Sequence, residues 1–407
     1  MSSLRHVSVI VWGGSFALLV ASDGSWGWML ARLMVVGVSM AALLAVEPRH
    51  IVCRWCDLAA GTVGIIVGAG IGVPHLIRRG DAIRSVFGSL ALVAGAALFV
   101  PAVSALVGHR RRWAGAGAWL TALVWLAVTS FVAVPALMAT NVPPIRGGNA
   151  TPASFGIMFE DVRFPTADGF VVAAWYVPSS NGAGVVLRHG AGSTRDDVLE
   201  QLRVLAAHGY GVLATDARGH GASDGRAMEF GWYGDADVSA AVDFLTVRSD
   251  VEPERIGIVG MSMGGEEAIG AAAADPRIRA VVAEGASGRT AADDAWLSDV
   301  YGLRGAIQEG LGRARTGLTR LLTSAPLPTP LADAVASSTQ AWFLLIAAGD
   351  VADERHVAER LRSMSPQHVE VWIVHGADHT DGLSVAAEPW ESTVIGFLDD
   401  ALRNGAT

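Results

Sequence analysis

The sequence predicts an α/β domain, a mostly parallel sheet wound with helices on both faces, behind an α-helical transmembrane region. Three observations carry this expectation. Apolar stretches near the bilayer-spanning length of about 20 residues recur through the first 140 positions. Beyond them, short apolar runs alternate with amphipathic helical patterns, the rhythm of a parallel sheet. Between one such run, 255–259, and a helical pattern stands Gly260-Met261-Ser262-Met263-Gly264, a tight strand-to-helix turn.

The apolar stretches are 28–46, 58–77, 86–108 and 117–139, with 7–20 a shorter fifth, so 1–140 is expected to hold four or five spans. Their Gly and Ala content suits close helix packing in lipid. Arg32 is the one charge well inside a stretch, and His75 lies near the end of another. Charges inside a membrane mark transport paths, so their scarcity argues against a channel or transporter. Residues 1–140 carry ten Arg against four acidic residues, leaving a net −15 on the remainder of a chain whose total is −9. An acidic C-terminal part argues against a nucleic-acid partner. Arg49, Arg54, Arg110, Arg111 and Arg112 fall on one side of the spans, with Arg78, Arg79, Arg84 and Arg146 on the other. The majority side should be cytoplasmic, which places the C-terminal domain outside the cytoplasm, at the cell membrane. Cys53 and Cys56 form a CxxC with only His50 nearby, too few ligands for zinc, and read as incidental thiols in a juxtamembrane loop.

A Pro/Gly/Asn-rich linker is expected over 141–154, and the folded C-terminal domain over 155–407. Runs at 155–164 and 170–177 flank Thr166-Ala167-Asp168-Gly169, a hairpin turn with Asp-Gly at its tip. Strands are then expected at 184–188, 211–215, 255–259, 280–283, 342–348 and 369–374. Helices should fill 195–208, 235–249, 263–274, 354–364 and 390–403. From 287 to 340 the alternation breaks into a helical stretch with Trp296, Tyr301 and a Pro-rich piece at 325–330.

The glycine-framed turn holds the Ser262 hydroxyl clear of the sheet at the positive end of a helix, where a nucleophile is needed. Its company comes in a fixed order. His189-Gly190-Ala191-Gly192 and the stretch from Asp216 through Arg218, Gly219, His220 and Gly221 to Ser223 precede it. An acidic cluster (Asp350, Asp353, Glu354) and then Gly376-Ala377-Asp378-His379 follow. Serine, acid, histidine is the chain order of one hydrolase architecture. On these motifs the chain from about 156 to 402, three-fifths of its length, resembles the α/β-hydrolases. It is most similar to their esterase, dienelactone-hydrolase and serine-aminopeptidase branches.

The resemblance implies roles. Ser262 is the expected nucleophile and His379 its base, with His375 the rival. The acid should follow strand 342–348. The family's Gly-x-x-Asp spacing falls on Ala352, so the candidates stand in the order Asp353, Glu354, Asp350. Backbone N–H groups of Met263 and Ala191 are the expected oxyanion donors. His189 should brace the oxyanion loop, and Asp216, Arg218, His220 and Ser223 a turn. The 287–340 insertion is expected to cap the site. The implied function is a membrane-anchored serine hydrolase forming an acyl-enzyme with an ester or related small-molecule acyl substrate, lipid-like in one reading. No metal or organic cofactor is implied. A peptidase or amidase using the same residues is the nearest alternative, and a non-catalytic tethered scaffold the alternative of another class.

Overall fold

The computed structural model describes residues 2–21, 26–47, 50–107 and 112–404. It divides into two compact units, residues up to Pro143 together with 317–322, and the rest.

The first unit is helical: α1 (Ser2–Ala21), α2 (Trp26–Ala45), α3 (Ile51–Val67), a π-helical turn (Gly68–Gly72) leading into α4 (Val73–Ile77), α5 (Ala82–Val107) and α6 (Arg112–Thr140). Among the described residues, four stretches are long and apolar enough to cross a membrane: Ser3–Val20, Ile51–Ile77, Ala82–Val107 and Trp113–Thr140. The 7–20 stretch thus belongs to a full-length helix, and α2 contributes a shorter apolar stretch, Arg32–Ala45. Small residues let α3 and α5 approach backbone to backbone. A Cβ on Gly61 would lie 2.6 Å from the Phe99 nitrogen, and one on Gly64 2.7 Å from the Ala91 oxygen. Cys53 and Cys56 lie in α3 rather than in a loop, both as free thiols. His75 is a brace, since Asp81 N–H donates to its Nδ1 and its Nε2–H donates to the Asn141 carbonyl, each at 3.0 Å. Arg49, Gly108, Arg110 and Arg111, which enter the span and orientation readings, lie outside the described residues.

The second unit is an eight-stranded sheet of β1 (Glu160–Pro165), β2 (Val171–Val177), β3 (Gly184–Arg188), β4 (Gly211–Thr215), β5 (Ile256–Met261), β6 (Ile278–Glu284), β7 (Trp342–Ala348) and β8 (Val369–Val374). Their spatial order is β1-β2-β4-β3-β5-β6-β7-β8, with β2 antiparallel to both its neighbours, β1 and β4, and every other pair parallel. Strands β3, β4 and β5 are buried along their whole length, as a doubly covered parallel sheet requires. One face is covered by α8 (Gly234–Thr246), α9 (Met263–Ala274), α12 (Leu331–Ser337) and α13 (Ala352–Met364), the other by α7 (Leu199–Ala207) and α15 (Ala387–Asn404). At the β1–β2 turn, Gly169 takes φ 87°, which only glycine adopts at little cost.

Two boundaries differ from expectation. The linker is docked well before 155, because Ile145 bridges to His220 and its carbonyl accepts from Gly221 N–H at 3.0 Å. The insertion between β6 and β7 ends before 340, because Leu331, Ala334 and Val335 of α12 sit in the sheet's own core. What remains holds α10 (Leu297–Tyr301) and α11 (Leu303–Leu322), rooted by the buried Arg289, whose Nη2 donates to the Thr329 carbonyl at 3.1 Å while Nη1 pairs with Asp235.

An ion pair locks β3 to α9. The buried Arg188 directs Nε to Glu267 Oε2 at 2.9 Å, adds a second contact from Nη2, and gives Nη1 to Thr215 Oγ1 at 2.9 Å. Burial pushes Glu267 up, to about 7, against the pull of Arg188. Removing one partner strands a buried charge, so Glu267→Ala should cost about 3–5 kcal/mol in thermal or urea unfolding, whereas Arg188→Met with Glu267→Leu should recover most of the loss.

Candidate active site

Ser262 sits at the junction of β5 and α9 with φ 52° and ψ −119°, a conformation that costs a non-glycine residue roughly 1–3 kcal/mol. The surroundings enforce it. Its N–H donates to the Glu284 carbonyl at 2.7 Å, and Gly265 N–H donates to the Ser262 carbonyl at 2.9 Å. Glycine is required on both sides. A Cβ on Gly260 would collide with the Gly264 backbone, and one on Gly264 would lie 2.7 Å from the His189 carbonyl oxygen. The turn therefore lifts one hydroxyl off the carboxyl edge of β5, above the positive end of α9.

His379 comes to this hydroxyl from the loop after β8. Its Nε2 lies 2.8 Å from Ser262 Oγ and its Nδ1 2.5 Å from Glu354 Oε1. Glu354 Oε2 accepts from Ala348 N–H at 2.9 Å, which ties the carboxylate to the end of β7. With Nδ1–H donating to the carboxylate, Nε2 is left as the acceptor for the serine proton. The Glu354 hydrogen bond lifts the His379 pKa above the ordinary imidazole value, against the partial desolvation of the ring. The His379 side chain is 49 % exposed and that of Glu354 only 3 %, so the ring stands open to incoming molecules while its orienting partner does not.

This geometry reverses the expected order of acids. Asp353 is exposed and accepts from the Tyr301 hydroxyl at 3.1 Å, and Asp350 is exposed beyond β7; neither meets His379. The signal was present in the sequence. Glu354, Val357, Ala358 and Leu361 follow helical spacing and form the buried face of α13, which turns Glu354 inward and Asp353 outward. His375 is exposed at the end of β8 and takes no part in the chain of contacts.

The loop after β3 lies directly over the serine, since a Cβ on Gly190 would sit 3.2 Å from Ser262 Cβ. Met263, first residue of α9, has an N–H with no preceding turn to bond, and Ala191 follows Gly190 in the loop. His189 fixes that loop: its Nε2 accepts from Ala217 N–H at 2.9 Å, so Nδ1 carries the proton and donates to the Gly190 carbonyl at 2.8 Å. Burial holds His189 well below the usual imidazole pKa, and lowers His220 to about 4, so both stay neutral. Asp216 accepts from the N–H groups of Arg195 and Ala222, each at 2.9 Å. Ser223 Oγ donates to the Asp216 carbonyl at 2.8 Å, and Arg218 spans Asp168 and Asp237. These groups build the turn after β4 and stand apart from the serine's contacts.

Glu284 went unnoticed in the sequence, where it reads as the last residue of an apolar run. Its buried carboxylate accepts from Gly382 N–H at 2.7 Å and Trp390 Nε1 at 2.8 Å, while its carbonyl holds Ser262 N–H. One residue thus ties the serine turn to the loop that carries His379.

A serine at a strained strand-to-helix turn, met by a histidine and a carboxylate from later strands of a doubly wound sheet, defines a hydrolase-type fold and site. The chain has the α/β-hydrolase fold, in an architecture similar to that of a solved esterase. The profile of the serine aminopeptidase S33 family matches residues 179–325. Among relatives, the uncharacterized protein Rv2307c of Mycobacterium tuberculosis is 38 % identical over 119 residues, which span 28 % of this chain and 42 % of that protein. The uncharacterized protein YfhR of Escherichia coli is 25 % identical over 60 % of this chain and 82 % of its own. The Pyrococcus furiosus esterase PF2001 superposes with a TM-score of 0.51 at 25 % identity, over 64 % of this chain and 97 % of the esterase.

The close approach of Gly264 to β3 gives a direct test. Gly264→Ala forces a methyl group against the His189 carbonyl and the Arg188 backbone, neither of which is free to move. It should lower stability by about 1–3 kcal/mol in thermal unfolding, as an overpacked core site does.

Proposed function

We propose that the protein is a membrane-anchored serine hydrolase that cleaves an ester or related acyl compound through a covalent acyl-enzyme. The observation that carries this reading is the continuous hydrogen-bonded line from Ser262 Oγ through His379 to Glu354 Oε1. In the proposed first half-reaction, Ser262 Oγ adds to the substrate carbonyl carbon as His379 Nε2 takes its proton. The oxyanion forms against the N–H groups of Met263 and Ala191, each donor of this kind contributing about a hundred- to thousandfold in rate. The imidazolium then gives its proton to the leaving oxygen, and the acyl group stays on Ser262. In the second half, water adds to the acyl carbon as it gives a proton to His379, and the imidazolium returns that proton to Ser262 Oγ as the bond to the acyl group breaks and the acid leaves. Glu354 holds the imidazole in the productive tautomer and stabilises its charged form.

The four long apolar helices support the membrane-anchored part of the proposal. The majority of loop arginines on the Arg110–Arg112 side supports a catalytic domain outside the cytoplasm. A second reading, hydrolysis of a peptide or amide by the same groups, is favoured by the serine aminopeptidase profile over 179–325.

A fluorophosphonate probe on the full-length protein separates enzyme from scaffold. Wild type should be labelled and Ser262→Ala should not; a folded wild type that resists the probe would favour a non-catalytic protein. Glu354→Gln should lower kcat on a p-nitrophenyl ester by about 10³–10⁴-fold, while Asp353→Asn should change it less than about threefold.

The pH profile has a defined sign. The base works unprotonated, and its pKa is raised, so the rate should climb through a midpoint above about 6.5. In Glu354→Gln the midpoint of the residual activity should fall toward or below that value.

A further inference from the structure

Helix α11 turns an apolar face to solvent. Leu303, Ile307, Gly310, Ala314, Gly317 and Leu321 fall at i, i+4, i+7, i+11, i+14 and i+18, one stripe along the helix, and every one of them is exposed. Leu303 is 79 % exposed, Ile307 55 % and Leu321 77 %, and Val300 continues the stripe from α10 at 45 %. The opposite side carries the close-packing residues: a Cβ on Gly305 would strike the Leu297 carbonyl, and Gly312 is buried. The exposed stripe is therefore not a helix facing the wrong way.

The charges bordering the stripe identify what covers it. On a helical projection Arg304 and Arg315 border one side and Arg313 and Arg320 the other. Arg315 also pairs with Asp294, and Arg313 with Glu309. Four arginines against one glutamate make α11 a cationic helix, although residues 141–407 carry a net −15. An apolar centre flanked on both sides by long cationic side chains is the pattern of a helix lying in the headgroup layer of a bilayer, with arginines snorkelling to phosphate.

We propose that α11 is an interfacial helix that docks the hydrolase domain on an anionic bilayer surface, its leucine–isoleucine stripe in the acyl boundary and its arginines on lipid phosphates. The proposal rests on the membrane-anchored reading above. It further specifies the substrate class as acyl compounds that partition into the bilayer, because the docked helix belongs to the insertion between β6 and β7.

The test uses the full-length protein in nanodiscs with roughly one-third phosphatidylglycerol. In a Cys53→Ser, Cys56→Ser background, an environment-sensitive fluorophore is placed on Ile307→Cys, on Phe131→Cys in α6 and on Val247→Cys at the end of α8. The proposal expects nitroxide lipids to quench the probes at 307 and 131 at least about twofold, with the 247 probe quenched by aqueous iodide instead. Reversing Arg304, Arg313 and Arg320 to Glu should release the probe at 307 without affecting that at 131. A probe at 131 quenched by lipid while that at 307 answers to iodide overturns the docking and leaves the anchoring intact. Iodide access at both overturns both. A probe at 307 shielded from iodide yet untouched by nitroxide lipid means that protein, such as a second copy, covers the stripe, and this also overturns the proposal. In the same nanodiscs, Leu303→Glu with Ile307→Glu should cut turnover of a long-chain ester about tenfold and leave a water-soluble short-chain ester within about twofold.

Discussion

The hydrogen bond from His379 Nδ1 to the buried carboxylate of Glu354 is the constraint on which the rest of the site depends. The imidazole is half exposed on a loop, and without a fixed partner its ring would sample orientations in which Nε2 misses the serine. Glu354 is buried and anchored a second time at the Ala348 N–H, so the ring inherits the rigidity of β7 and the first turn of α13. The serine is fixed independently, by its backbone bond to Glu284 at the end of β6. The ends of β5, β7 and β8 thus deliver the three side chains to one edge of the sheet, the place where open α/β sheets bind their ligands, with β6 between the first two holding the serine turn.

Holding this geometry requires a stiff foundation. A strained serine backbone persists only where its surroundings over-determine it, and here both neighbouring glycines are closed in by backbone. Beneath the turn, Arg188 and Glu267 join β3 to α9 in a dry environment where a hydrogen-bonded ion pair has strict geometric demands. Glu284 extends the same logic to the histidine loop through Gly382 and to α15 through Trp390. The polar groups buried around the site are scaffolding for a small number of exposed ones.

Much of this was legible in the sequence because the relevant signals are local. Buried strands read as short apolar runs, and the Gly260–Gly264 pentad marks its turn through glycine alone. The acid was harder. The resembled family's Gly-x-x-Asp spacing pointed at Ala352 and the neighbouring Asp353, whereas the helical face of α13 turns Glu354 inward with Val357, Ala358 and Leu361. Glu284 was invisible because its partners, Gly382 and Trp390, lie about a hundred residues away and no local pattern links them. The boundary of the insertion was missed for a similar reason, as α12 earns its place in the sheet's core only through tertiary packing. The CxxC was misplaced in a loop because its flanking charges masked the start of α3.

The most direct measurement of the central claim is tandem mass spectrometry of full-length protein quenched in acid during turnover of an activated p-nitrophenyl ester. The account predicts one acyl group on the peptide containing Ser262, formed in a burst equal to the protein present and absent from the His379→Ala variant. An active protein that turns the ester over with no acyl adduct, or with the adduct on another residue, would contradict it.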